Sequence, residues 1–506
     1  MSETASAEPG TRLQTFLDHA GFRGFPWKTA TILYTISWGW LFIVRDSLWA
    51  DDWFLIVKFD FSFQGFAPWV EIQVEAIRYF GLIYLRSVIF FSFLAISIFL
   101  FGITRQCSFL SLSQRRLVVL LFLLLPFNTA RVALMMFHYS VAFFFFFLGW
   151  YLLVTFRLTK ICYFSLIFFF YSFQMHSLLF FYLLPIAHAF FLSETKSFKE
   201  CLQWLIKNAG FLLLPFLYWI MRSLYWPEEV LYHDVGLDKA LGSIYFVLIS
   251  GGLLLLVFVL QRKLAAIKQS LQIIFVGLLC IFVGIFAYVL LGVFPSSLSF
   301  FSKYIVTFLG RSDWYSRHQI LQPLGAALLI VGVIALLPKQ TKKLSMQVQI
   351  AVLTLCVVFN VGFGFEYVVD NAKQREVVNQ LKESGEGKSI SGFMFIDQTT
   401  VLNARGREYR YRDWQGLISL AFDSELQYKL DVVIETSCSP QLSSRLVLIQ
   451  GPETHWAALK NWVSDGDMGF KVTVDDTPGA CKPEMVTAEK VSGAIPILFY
   501  FTGAKG

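Results

Sequence analysis

Charged side chains are scarce in this chain: Asp, Glu, Lys and Arg make up 15% of its 506 residues, against 56% that are hydrophobic. A soluble chain of that composition would leave too much apolar surface in water, so an ordinary soluble globular protein is excluded and an integral membrane protein with many helical spans is expected. Several chemical signatures are missing too. There is no CxxC and no His/Cys cluster at zinc spacing, which argues against a structural zinc. Without GxSxG, GxxxxGKS or HExxH, the common hydrolase, nucleotide-phosphate and zinc-protease mechanisms have no support. No internal repeat stands at the spacing of an inverted-repeat transporter, and no span carries paired Gly/Pro interruptions. The N-terminus lacks an apolar core followed by a small-residue cleavage site, so the first span is expected to serve as its own insertion signal. The net charge of +7 is not gathered into one patch. Lys and Arg fall in short clusters between apolar runs, a topology signal rather than a nucleic-acid surface.

Apolar runs are plentiful. They cover roughly 29–44, 82–103, 117–127, 132–156, 161–174, 177–192, 205–224, 244–260, 271–292, 319–337 and 346–363, about eleven spans. The run at 117–127 falls short of the ~17 residues of a normal span, and 161–192 reads either as one long tilted helix or as two short ones. Fifty-five Phe and fourteen Trp suit lipid-facing helices with aromatic belts. Arg105, Arg115 and Arg116, then Arg157 and Lys160, Lys196 and Lys199, Arg262, Lys263 and Lys268, and Lys339, Lys342 and Lys343 occupy alternate loops. By the positive-inside rule these loops and residues 1–28 are cytoplasmic. The loops between them, with everything after residue 364, then lie outside. This divides the chain into a cytoplasmic segment 1–28, a membrane domain 29–363 with a first outer loop at 45–81, and a soluble outer domain 364–506.

In that first outer loop, APWVEIQVEAIRYFG places Pro68 near a helix start, with Trp69, Ile72, Ala76, Ile77 and Phe80 on one side and Glu71, Glu75 and Arg78 on another. About a dozen residues cannot span, so the segment reads as an amphipathic helix in the outer interface or as the start of the second span. After residue 364, DNAKQREVVNQLKES reads as a surface helix. SGFMFI, DVVIET, RLVLIQ, FKVTVDD and PILFYF read as strands, and PETHWAALKNWVS as a helix. That alternation predicts a small α/β domain. Five of the seven cysteines lie in or near spans, whereas Cys438 and Cys481 both lie in the outer domain, where an oxidising compartment favours a disulfide between them.

Acids are grouped where they are costly. RDSLWADDWFLIVKFDF, residues 45–61, sets Arg45, Asp46, Asp51 and Asp52 against Trp49, Trp53 and Phe54 at the end of the first span. Adjacent aspartates point in different directions, so one faces a cleft while the other caps the following turn; Asp51 ranks ahead of Asp52 for the cleft. A carboxylate in a part-buried site can take a proton from an acceptor hydroxyl or hold a metal that does. The alternative is that both are solvated loop residues or caps.

The ADDW motif at the outer end of the first span, followed by an interfacial helix and an outer C-terminal domain, resembles the GT-C superfamily of polytopic membrane glycosyltransferases. The resemblance covers most of the chain in architecture and a few residues in motif. It implies inverting transfer of a hexosyl or pentosyl group from a polyprenyl-phosphate donor to a lipid-linked or cell-surface glycan. The setting implied is a bacterial inner membrane with the C-terminal domain periplasmic or extracellular. Asp51 or Asp52 would be the base, or the ligand of a divalent cation, Mg or Mn, should the reaction use one.

LGRSDWYSRHQILQP, residues 309–323, supplies Arg311, Arg317 and His318 at headgroup depth. Arg suits phosphate because its planar fork binds two oxygens, and the resemblance makes this the donor-phosphate site; Lys303 stands nearby in sequence. The bland reading is snorkelling to ordinary lipid phosphates. Arg131, His138 and His176, with Arg45, are further cleft residues, or else packing and interfacial ones. Glu228, Glu229, His233 and Asp234 have no diagnostic spacing. Arg405, Arg407, Arg410 and Arg412, interleaved with Tyr409, Tyr411 and Trp414, suit a sugar or lipid-phosphate surface or a solvated loop. The rival functions are an O-antigen-type polysaccharide polymerase, a transporter or flippase of lipid-linked glycans, which would need charges inside its spans, and a non-catalytic assembly subunit.

Overall fold

The computed structural model describes residues 22–49, 52, 69–193, 197–225, 237–290, 317, 319–337, 342–384, 393–397, 402–404, 409, 413, 416–417, 420–421, 469–475 and 484–491. Asp51, Arg311, His318, Lys303, Cys438 and Cys481 lie outside them, as do the expected strands DVVIET, RLVLIQ and PILFYF and the expected helix PETHWAALKNWVS. The described residues are mostly helical. In chain order they form α1 (Trp27–Trp38), α2 (Trp69–Phe80), α3 (Leu82–Arg105), α4 (Leu112–Leu124), α5 (Met136–Thr155), α6 (Phe164–Ser172) and α7 (Ser177–Phe181). There follow α8 (Leu183–Leu192), α9 (Phe198–Lys207), α10 (Ala209–Tyr225), α11 (Leu237–Lys263), α12 (Lys268–Leu290), α13 (Gln322–Ile334) and α14 (Lys342–Ser384).

Five stretches are helical, long and apolar enough to cross a membrane: Leu82–Arg105, Met136–Thr155, Ile244–Lys263, Ala265–Val289 and Lys343–Gln380. The protein is a helical membrane protein. The other apolar runs form shorter helices. The expected run at 117–127 begins earlier, at Leu112, because Ser111 and Gln114 close a capping box: Gln114 N donates to Ser111 Oγ at 3.4 Å and Ser111 N to Gln114 Oε1 at 2.9 Å. The run at 161–192 forms two short apolar helices, Lys160–Ser172 and Ser177–Leu192, rather than one long one. The break follows Ser172, whose hydroxyl donates to the Phe169 carbonyl at 2.7 Å, while α7 and α8 run on through a helical Tyr182.

Gly81, at φ 73°, separates α2 from α3. A left-handed backbone there needs glycine and turns the chain, so α2 is a helix of its own rather than the first turns of the second span. Its Ile72, Tyr79 and Phe80 are exposed while Gln73 is buried. Helices α12 and α13 approach through glycines: a Cβ at Gly277 would lie 2.9 Å from the Gly325 carbonyl oxygen, and one at Gly325 2.7 Å from the Gly277 oxygen. Such close backbone contact is how helices associate in a medium as apolar as their side chains.

α14 is longer than the last apolar run. The expected surface helix DNAKQREVVNQLKES is the continuation of the last apolar run, within one helix of 43 residues that passes through the expected domain boundary at 363/364. Nor is its first part on the surface, since Asp370, Asn371, Lys373, Gln374 and Val377 are buried. Beyond it, β1 (Phe393–Asp397), β2 (Gly469–Asp475) and β3 (Glu484–Val491) form a sheet in the order β1-β3-β2. β3 pairs parallel to β1 and antiparallel to β2. β1 and β2 overlap the expected SGFMFI and FKVTVDD strands, whereas β3, EMVTAEKV, is not among the expected strands: its charged residues hide the alternation.

Candidate functional site

The acidic loop is held on three sides. Asp52 has no exposed surface. Its Oδ2 accepts from Trp49 N at 3.0 Å and its Oδ1 from Met135 N at 2.9 Å, with the Leu134 amide also donating. One carboxylate thus closes its own turn and fastens the loop to the start of α5. Burial pushes its pKa up to about 7, against the pull of those amides and of the nearby Arg86 guanidinium. Arg86, near the start of α3 and fully buried, reinforces the same junction. It donates to the Ser47 carbonyl at 2.6 Å, to the Arg45 carbonyl at 3.4 Å and to the Val132 carbonyl.

The third side is α14. Gln374 grips the main chain of Leu48 in both directions, its Oε1 accepting from Leu48 N at 3.3 Å and its Nε2 donating to Leu48 O at 3.1 Å. Arg375 pairs with Asp46, and Tyr367 packs between Trp40 and Trp49, stacked on the first at 5.1 Å and edge-on to the second at 4.9 Å. On its other flank the helix holds residues from beyond the sheet's first strand. Asp370 accepts from Ala404 N at 2.8 Å and from the Tyr409 hydroxyl. Lys373 donates to Asn403 Oδ1 at 2.7 Å and stands 4.7 Å from the Tyr409 ring centre.

These contacts sort the expected site residues. Asp52 closes the turn that precedes it, from Trp49, whereas the expected cap was of the following turn, whose residues lie outside the described ones. With both oxygens taken by amides and no exposed surface, it does not fit a metal, and among the described residues no three His, Cys, Asp or Glu side chains converge on one point. Arg45 is exposed and pairs with Asp46 at 3.4 Å. Arg131 does not line an open cleft: it is 1% exposed, sandwiched between Trp38 and Phe93. His138 is half-buried, 3.4 Å from the Gln73 amide of α2. His176 is exposed and lies against Arg222 of α10, with 2.9 Å from Nη1 to Nδ1.

Arg317 is half-buried just ahead of α13. It lies close enough to Tyr288 for its charge to act on that phenol, and the Tyr288 hydroxyl donates to Ser177 Oγ at 3.0 Å. Tyr139, beside His138, is the other phenol within electrostatic reach of Tyr288. His176 and Arg222 thus meet next to Ser177, which receives the Tyr288 hydroxyl. Sequence reading missed Arg86, Gln73, Arg222, Asp370 and Gln374. A cation inside an apolar run marks Arg86 as noteworthy, but nothing local marks Gln374, whose partner is 326 residues away.

Comparison with known protein families, with curated proteins and with solved structures gives no match for this chain.

Proposed function

We propose that the protein is a membrane glycosyltransferase of GT-C type that moves a sugar from a polyprenyl-phosphate donor to a lipid-linked or cell-surface glycan on the outer face of a bacterial inner membrane. In this reading the shorter apolar helices complete about eleven spans, the N-terminus is cytoplasmic, and the sheet belongs to an outer α/β domain that shapes acceptor access. The observation that carries the proposal is the anchoring of the acidic loop: the Asp52 carboxylate, Arg86 and Gln374 fasten residues 45–48 and 52 to the start of α5, to α3 and to α14. A general base needs a fixed position within hydrogen-bond reach of the hydroxyl it serves. Because Asp52 is committed to amides, the base is assigned to its chain neighbour Asp51. Arg317, with Arg311 and His318, holds the donor phosphate, where a guanidinium fork binds two oxygens.

The test is a membrane assay with radiolabelled polyprenyl-phosphate sugars and candidate glycan acceptors. Asp51→Asn is expected to lower transfer by about 10²-fold or more with unchanged thermal stability, the size of a lost general base. Asp52→Asn is expected to act first on stability. Full transfer by both variants would overturn the reading.

A further inference from the structure

The loop before α4, the start of α12 and the end of α13 meet at one end of the bundle. Gln269 donates to the Phe109 carbonyl at 2.8 Å, and Ser270 to the Ala335 carbonyl at 2.9 Å. Beside that junction, between the start of α4, the end of α13 and the start of α14, lies a cavity of about 170 Å³, far more than the ~10–15 Å³ that one water needs. Ser111, Ser113, Gln114, Ser345 and Gln349 line it with hydroxyls and amides, over an apolar floor that includes Leu117 and Ile334. No charged side chain is among its lining residues. Some of the polar groups bond to one another, Ser111 Oγ to Ser113 Oγ at 3.2 Å and Gln349 Nε2 to Ser345 Oγ at 3.3 Å. The surroundings are basic: residues 106–116, 264–272 and 334–349 include Arg115, Arg116, Lys268 and Lys343 and no Asp or Glu.

We propose that this cavity binds the glycerol headgroup of an anionic phospholipid, phosphatidylglycerol, from the leaflet at the basic end of the bundle. Serine hydroxyls and glutamine amides each offer both donors and acceptors, as every hydroxyl of a diol does. A neutral lining gives no countercharge to a phosphate or an ammonium placed inside it, so the group it takes is polar and uncharged. The phosphate of the same lipid stays at the rim, where Arg115 follows Gln114 in α4 and Lys343 precedes Ser345 in α14. The acyl chains find exposed apolar surface on the same two helices that close the cavity, at Val333 and Leu336 near the end of α13 and at Met346 and Ile350 on α14. Basic residues alone would attract any anionic lipid; the hydroxyl- and amide-lined cavity selects among lipids that share a phosphate.

This inference does not depend on the proposed sugar transfer, and its test reads lipid binding alone. Full-length protein, purified in detergent and stripped of lipid, is incubated with phosphatidylglycerol, phosphatidic acid or phosphatidylethanolamine of the same acyl chains, and retained lipid is counted by native mass spectrometry. The expected result is one phosphatidylglycerol held about tenfold or more tightly than phosphatidic acid, which keeps the negative phosphate and lacks the diol, and than phosphatidylethanolamine, which lacks both the diol and the net charge. Ala335→Phe, which puts a ring at the cavity wall, is expected to abolish that preference. Ser345→Ala combined with Gln349→Leu, which removes two hydrogen-bonding groups, is expected to cut it by about fivefold or more, and serves as the readout should Ala335→Phe not fold. Equal retention of phosphatidylglycerol and phosphatidic acid, a preference that survives both variants, tighter retention of a polyprenyl-phosphate sugar, or displacement of the lipid by millimolar free glycerol would each overturn the proposal.

Discussion

The two halves of α14 face different solvents. Along the first, Leu344, Met346, Ile350, Leu355, Val358 and Val361 are exposed apolar side chains, at home against lipid. Along the second, Asp370, Lys373 and Gln374 are buried polar ones, each bonded to a distant part of the chain. One continuous helix thus exposes apolar side chains along its first half and buries bonded polar ones, among buried apolar neighbours such as Tyr367 and Val377, along its second. The first half needs only hydrophobicity, because lipid accepts any apolar surface. The second needs particular atoms at particular places, because a buried polar group without its partner is costly.

The contrast can be probed in three ways. The largest effect is expected from pH, at the loop the polar half grips. Burial raises Asp52 from 3.8 to about 7, so between those values the folded chain binds a proton that the unfolded chain releases. The stability Asp52 contributes is then highest below about pH 4, falls as pH rises to about 7 and is level above, a swing of roughly 4 kcal/mol across three pKa units. Asp52→Asn is expected to remove that slope, seen by comparing denaturant unfolding of the two proteins from pH 4 to 8. A variant that keeps the full slope would assign it to another group.

Next comes Gln374→Ala, which leaves the Leu48 amide and carbonyl buried and unpaired at an expected cost of about 2–4 kcal/mol. Proteolysis within residues 45–61 should rise in step. The smallest effect is expected in the apolar half: Val358→Ala exchanges one lipid-facing side chain for another and should shift stability by less than about 0.5 kcal/mol. A Val358 effect as large as that of Gln374 would dissolve the comparison.

The same contrast explains what was legible in the sequence. Long apolar runs announce membrane helices because lipid imposes one rule on every residue, and the acidic motif stood out because it broke that rule. The division of labour between Asp51 and Asp52 was legible only as an alternative. The two are chemically identical, and the choice rests on amides at 134 and 135, over eighty residues along the chain. DNAKQREVVNQLKES has the composition of a surface helix, and only its bonds to residues 46–48 and 403–409 make it an interior one. For Arg131, in a very short turn between spans, the sequence leaves cleft and packing readings side by side. Trp38 and Phe93, which enclose it, come from two other helices.

The unbroken run of α14 also fixes a rotational phase. Each residue of an α-helix advances about 1.5 Å and turns about 100°, so the span and the grip on the acidic loop are geared together like two cams on one shaft. A single residue added between Phe365 and Asp370 would swing Asp370, Lys373 and Gln374 together off their partners while leaving the apolar half seated in lipid. The spacing along this helix is thus as much a part of the loop's architecture as the residues that touch it.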